Sequence, residues 1–265
     1  MKTCAPLLLL AIWATSARAQ DLRDLCPARP GLGTPPCIVD KGHVLAETSL
    51  ADWTRDDAGG NRSDTVLTGD LLLRYGIDGK SEVQLGWTAL GHNRERDSAS
   101  GAIMRGHGTG DIGLAYKRSL VNPDGAGLSI AVQPFMTLPT GGSAIGAGDW
   151  STGIILPISA EVAHGIALEF SPEVDADVDR DDSGRHAVYG SVAGLDVDLS
   201  DAVSTSVALS AFRDDDPAGH GTALLLATAL AWQPGNAWQV DLGSAFGLNA
   251  HSPDARVYCG IARRF

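Results

Sequence analysis

Six carboxylates recur at even spacing in one short stretch: Glu169, Glu173, Asp175, Asp177, Asp179 and Asp181. Side chains alternate along an extended chain, so these six share a face. Leu168, Phe170, Val174 and Val178 take the other. Such a row suits a solvated wall, and it also suits a cation-attracting pore mouth, because acidic rings favour cations. Calcium is a third possibility. The run from Asp175 starts like an EF-hand loop, but Arg180 stands at the glycine position and His186 at the twelfth, so the match fails. No metal site is expected.

A hydrolase would need an activated nucleophile. Ser191 and His186 are near in sequence but of opposite parity, and no Gly-x-Ser-x-Gly elbow occurs. His92, His107, His164, His220 and His251 fall in turns or polar stretches, where a histidine is ordinarily solvated. No catalytic residue, no enzyme activity and no cofactor are expected. Cys26 and Cys37 flank PARPGLGTPP and, in an oxidising compartment, suit a local disulfide. Zinc would need further ligands at fitting spacing. Cys259 is left over.

The elements that must carry these residues are strands. Segments about ten residues long alternate in polarity, glycine is abundant (32 residues), and turn signals recur at near-regular intervals. The pattern predicts an all-β fold, an up-and-down antiparallel transmembrane barrel of twelve strands. They are expected at 42–54, 64–76, 81–90, 108–119, 127–138, 149–160, 165–176, 185–199, 202–212, 220–233, 237–247 and 254–265. Tight turns are expected at 77–80, 122–125, 163–165, 200–201 and 234–236, and longer polar outer loops at 55–63, 91–107, 139–148, 177–184, 213–219 and 248–253. Only a closed barrel satisfies every lipid-facing backbone group of a sheet.

Parity then assigns faces. Leu67, Leu71, Leu73 and Tyr75 oppose Thr68, Asp70 and Arg74; Val83, Leu85 and Trp87 oppose Glu82, Gln84 and Thr88. The expected lumen lining is Asp70, Arg74, Glu82, Gln84, Asp111, Lys117, Gln133, Glu169, Glu173, Asp196, Gln239 and Asp241. Asp175, Asp177, Asp179 and Asp181 would ring the outer mouth. Basic lumen residues among acidic ones either stiffen a narrow barrel through ion pairs or orient a polar solute. Tyr75, Tyr116, Trp238 and Phe265 fall near one rim and Trp87, Trp150, Tyr189 and Phe246 near the other, as interfacial rings do.

The N-terminal residues read as an export signal: Lys2, a short apolar stretch from Ala5 to Ala14, and Ala17-Arg18-Ala19, with cleavage near Ala19. The expected organisation is a signal peptide at 1–19, a periplasmic segment at 20–41 with the disulfide, which either dangles or folds into the lumen as a plug, and an outer membrane barrel at 42–265 of a Gram-negative cell. Lys2 and Arg18 leave with the signal, which holds no acid, so the formal charge goes from −12 to −14. That charge argues against nucleic acid as a partner.

Several stretches resemble the outer membrane proteins of the MetA-pathway of phenol degradation family. They are Tyr75-Gly76-Ile77 leading to Glu82, Gly110-Asp111-Ile112-Gly113 leading to Lys117, Leu138-Pro139-Thr140-Gly141, Gly148-Asp149-Trp150-Ser151, and the terminal Arg264-Phe265. The resemblance implies a barrel that passes a small, often aromatic or apolar, molecule, and it transfers no catalytic residues. The Cys26–Cys37 segment is not part of it. Passive transport is the expected function. A non-transporting structural or surface-interaction barrel is the alternative, and an outer membrane lipid hydrolase a more distant one. The expected partners are outer membrane lipid and lipopolysaccharide, the small-molecule solute, and the barrel assembly machinery through the last strand, which ends at Phe265.

Overall fold

The computed structural model describes residues 22–181 and 184–265. The expected signal peptide lies outside the described residues. Alternating polarity folds as it should, into β1 (Val44–Ala58), β2 (Asn61–Gly76), β3 (Ser81–Asp97), β4 (Ile103–Gly108), β5 (Ile112–Val121), β6 (Leu128–Leu138), β7 (Ser151–Ile155), β8 (Ile158–Ala163), β9 (Ile166–Val178), β10 (Arg185–Ser200), β11 (Val203–Asp214), β12 (Gly221–Gly235), β13 (Trp238–Gly247) and β14 (Ala255–Arg264). β4 and β5 pair with successive parts of β3, and β7 and β8 both bridge β6 and β9. Each pair is one wall strand with a break. Pro157, which has no N–H to donate, lies in the second break. The described residues therefore build a closed antiparallel barrel of twelve wall strands in meander order. β14 closes it on β1, from Leu45 opposite Arg264 to Arg55 opposite Ala255.

One face of nearly every strand is apolar and exposed. Leu85, Leu114, Val174, Val207, Leu226 and Leu242 all point outward. Water would penalise such a band; lipid does not. Tyr75, Tyr116 and Phe265 are exposed near the end that carries the short turns, the periplasmic end in barrels of this kind, and Trp150, Tyr189 and Phe246 near the other.

The outer ends differ from expectation. Residues 55–63 and 91–107 were expected as polar loops, but most of them continue as strand. Their charges pair across the sheet: Arg55 meets Asp64 at 3.1 Å, and Arg94 meets the same carboxylate at 3.6 Å. Beyond the bilayer a strand needs no apolar face, so polarity alone does not mark a loop. Gly59 and Gly60, at φ 62° and 84°, supply the left-handed turn that two-residue hairpins require.

Parity also shifts once inside β1 and β2. A bulge between Ser49 and Ala51 lets Glu47, Ser49 and Asp52 all face inward. Leu67 pairs with Asp52 and borders the same internal cavity, while Thr68 is exposed. The expected faces of Leu67 and Thr68 are therefore reversed, because Gly69 adopts φ 65° between them and Asp70.

Candidate functional site

The interior of the barrel is the candidate site, and a part of the chain occupies it. Residues 20–41 were expected as a periplasmic segment that either dangles or folds into the lumen, and those described take the second course: the chain enters the lumen at the periplasmic end, climbs to Arg29-Pro30-Gly31, turns and descends to Lys41, which bridges Gly76. Cys26 and Cys37 are disulfide-bonded, with their Cα atoms 6.5 Å apart, so the bond ties the rising leg to the falling one. Cys259 is free.

Arg74 holds both legs at that point. It is fully buried, donates to the Cys26 carbonyl at 2.8 Å and the Cys37 carbonyl at 3.0 Å, and pairs with Glu82 (2.8 Å) and Glu47 (3.3 Å). Glu82 also accepts the Val39 amide at 2.7 Å and lies 3.5 Å from Lys117 Nζ, which donates to the Pro35 carbonyl at 2.9 Å. Two cations and two carboxylates thus balance in a dry site, the condition under which buried charge is tolerated. Gln84 donates to Glu82 and to Gln133.

The tip is held from other strands. Arg29 reaches Asp241 at 3.0 Å and Ser49 at 2.6 Å; Gln239 donates to the Arg29 carbonyl, and Tyr258 to the Pro30 carbonyl. Gly260 leaves room for this approach: a Cβ there would lie 2.5 Å from Arg29 Nε. Thr34 exchanges hydrogen bonds with Ser171. At the base, Leu25 and Val39 pack with Leu45 and Ala262 of the wall. Burying each of the Leu and Val side chains contributes roughly 1.5–3 kcal/mol.

Eleven of the twelve residues expected to line the lumen divide into three groups; the twelfth, Glu173, belongs with the acidic row. Arg74, Glu82, Gln84, Lys117, Gln133, Gln239 and Asp241 face inward but are buried with the segment or its immediate partners; of these Gln239 also borders the cavity beside the segment. Asp70 accepts from Thr88 and, with Arg256, borders a cavity of about 280 Å3 above the tip. Glu169 and Asp196 border a cavity of about 300 Å3 beside the segment. Asp111 does something else. It accepts the Gly141 and Ala147 amides at 2.6 and 2.7 Å and holds the 139–148 loop, whose Ile145 packs over Gly91 inside the barrel.

The members of the acidic row take different partners. Glu173 and Asp175 lie at the outer part of β9, with Asp175 Oδ1 directly over Gly153. Asp177 accepts the Val178 amide, and Asp179 meets His186 Nδ1 at 3.0 Å. Asp181 lies beside residues outside the described set. His186 Nε2 faces Asp214 at 3.1 Å, so both ring nitrogens meet carboxylates. Among the described residues no three His, Cys, Asp or Glu side chains converge as a metal site would need.

Outside the membrane several carboxyls are tuned, Asp149 and Asp78 among them. The Trp150 amide and Arg185 hold Asp149 below its ordinary value, and Arg185 also stacks over the Trp150 ring at 4.2 Å. The Lys80 amide, Ser81 and Arg118 do the same for Asp78 in a periplasmic turn.

Residues 28–265 match the family model described as "Putative MetA-pathway of phenol degradation". The chain belongs to this family. Among solved structures it is similar to the COG4313 outer membrane channel from Pseudomonas putida F1, with TM-score 0.68 and 16% identity over 89% of this chain and 99% of that one. It is also similar to the KdgM porin, solved in complex with oligogalacturonate (TM-score 0.52, 8% identity, 84% and 99% covered), and to the NanC porin (0.51, 7%, 83% and 98%). At these identities the likeness is one of fold. No match emerges among curated protein sequences.

Proposed function

We propose that the protein is an outer membrane channel for passive passage of a small molecule, with the segment at residues 22–41 narrowing its lumen. The observation that carries this reading is the interior itself. A barrel serving only as a membrane scaffold needs no space in its lumen, yet cavities of about 280 and 300 Å3 remain around the tip of the segment. The family suggests the solute class, small aromatic or apolar compounds. A neutral solute crosses a lumen of fixed charges without having to shed a counterion.

The rest of the assignment follows from the same reading. The export signal is cleaved near Ala19, the apolar band contacts outer membrane lipid and lipopolysaccharide, and β14 with terminal Phe265 engages the assembly machinery. The interior carboxylates Glu169, Glu173 and Asp196 act on the solute or its counterions, and no residue acts as a catalyst. The competing reading, a structural barrel, draws on how firmly Arg74, Lys117 and Tyr258 fix the segment.

Refolded protein in a planar bilayer, and liposome uptake of phenol-sized solutes beside sugars of similar mass, separate the two. Discrete single-channel steps with uptake of aromatic solutes are the expected result. A sealed membrane that admits neither ions nor solutes overturns the channel reading.

A further inference from the structure

The segment inside the lumen is anchored unevenly. Its bonds run to β1, β2, β3, β5, β9, β13 and β14, through Ser49, Arg74, Glu82, Lys117, Ser171, Asp241 and Tyr258. The β11–β12 wall makes no such anchor among the described contacts. Its inward positions are small: Ser204 opposite Ala231, Ser206 opposite Ala229, Ala208 opposite Ala227. The outward positions of the same strands carry Val207, Leu209, Leu226 and Leu230, so the wall is thin only on its lumen side.

Of four cavities in the lumen, two lie along the β10–β12 wall, and the one above the tip lies against β1, β2, β3 and β14. One of about 210 Å3 near the outer end is bordered by Asp52, Leu225, Pro253 and Arg256. Arg256 also borders the cavity above the tip. Arg29, Pro30 and Gly31 separate that space from the 300 Å3 cavity beside the segment, which lies against Ser206, Ala229 and Ala231. Asp198, Ser204 and Gln233 are common to this cavity and to one of about 630 Å3 at the periplasmic mouth. Adjacent cavities share lining residues: Arg256 between the first two, residues 28–31 of the segment between the second and third, and Asp198, Ser204 and Gln233 between the third and fourth.

We propose that the solute route is an eccentric passage, over the tip of the segment and down the β10–β12 wall, open while the segment stays docked. This rests on the channel reading above and adds the path and the charge it favours. The basic groups near the path are already engaged, Arg29 by Asp241 and Arg256 by Asp52. Glu169, Asp196 and Asp198 project along the descending half with no basic side chain among the residues bordering that cavity except Arg29. The passage therefore takes neutral solutes and small organic cations and resists anions.

The test is cysteine accessibility in a Cys259→Ser background, with the Cys26–Cys37 bond intact. Ala229→Cys and Asp198→Cys are treated with a cationic trimethylammonium thiosulfonate and with an anionic sulfonate analogue, and labelling is read by mass spectrometry. Ser49→Cys, buried beneath Arg29, is the control. The expected result is labelling at 229 and 198, at least about tenfold faster for the cationic reagent, as local field focusing predicts, with position 49 silent. Labelling at 49 but not 229 overturns the path, and equal rates for the two reagents overturn the charge preference. Labelling needs no ionic current, so a chain that labels as expected yet passes no solute defeats the channel reading while the passage itself stands. Ala229→Trp should abolish most of the single-channel current, and lipid-facing Thr228→Trp should leave it intact; equal effects of the two also overturn the path.

Discussion

Replacing Cys26 and Cys37 by serine removes the tie between the two legs without touching the barrel wall. When the oxidised segment leaves its site it remains a closed loop, because the cysteines are 11 residues apart. Docking then has less chain entropy to lose. For a loop of this size the chain-entropy model gives about 3 kcal/mol, which is about a hundredfold in the docking equilibrium. The segment would still be mostly docked, since charged hydrogen bonds such as Arg74 to Cys26 O and Lys117 to Pro35 O contribute about 1.5–3 kcal/mol apiece. Excursions, however, become about a hundred times more frequent. The readout is amide hydrogen exchange at Val39, whose N–H is held by Glu82, against wall amides such as Ala245. Val39 should speed up by about two orders of magnitude and Ala245 should not change. Single-channel recordings of the variant should show brief steps of larger conductance. If Val39 exchanges within threefold of its native rate, the bond does not restrain undocking. If Val39 and Ala245 accelerate together, the tie stabilises the barrel as a whole. Either result refutes the argument.

Arg74→Met leaves Glu47 and Glu82 with Lys117 alone and two carbonyls without a donor, and should cost about 3–5 kcal/mol in urea unfolding; Arg55→Met, which breaks an exposed pair, should cost under about 1 kcal/mol. Leu242→Arg puts a charge on the lipid face of β13 and should cost roughly 2–4 kcal/mol if that position sits near mid-bilayer, several times the loss from Leu242→Thr in the same titration. Asp111→Ala frees two loop amides, so limited proteolysis should cut within 140–148 at least about tenfold faster, with the barrel strands still protected. The Asp149 carboxyl is depressed, so the stability it lends its loop is present above the ordinary value of 3.8 and is lost as pH falls through the lower folded value. Its titration, followed at the Trp150 amide, should have its midpoint below 3.8 in the native protein and move upward in Arg185→Ala.

The wall was legible because its constraint is local and repetitive. Each membrane strand must put apolar groups to lipid at every second position, and the turns at 77–80 and 234–236 carry Asp-Gly and Pro-Gly signals that need no distant partner. What failed was equally local in cause. The pairs of Arg55 with Asp64 and of Arg94 with Asp64 make strands from a sequence that polarity alone reads as loop. A single backbone feature, the bulge after Ser49 or the left-handed Gly69, reverses parity for the residues beyond it, and a period-2 reading has no means of seeing it.

The lumen segment was illegible for a different reason. Its fold has no period, and its bonds are made mostly by its own carbonyls to side chains tens or hundreds of residues away, such as Tyr258 to Pro30 and Gln239 to the Arg29 carbonyl. Backbone acceptors are alike at every residue, so no residue type in PARPGLGTPP announces them. The signal lay in the wall instead. A water-filled pore has little need of Arg74, Glu47, Glu82 and Lys117 gathered at one level, because solvated ions need no partners. Long charged side chains of both signs converging from β1, β2, β3 and β5 also suit a level from which water is excluded, and here the segment excludes it. The two cysteines in an otherwise structureless leader narrow the choice, since a loop stapled over 11 residues is compact enough to fit a barrel of this size. The small inward residues of β11 and β12 then acquire their meaning. Bulky side chains at Ser206 and Ala229 would meet the segment and seal the lumen, whereas these leave one side of it free. The charged wall fixes the segment, and the small wall keeps a way past it.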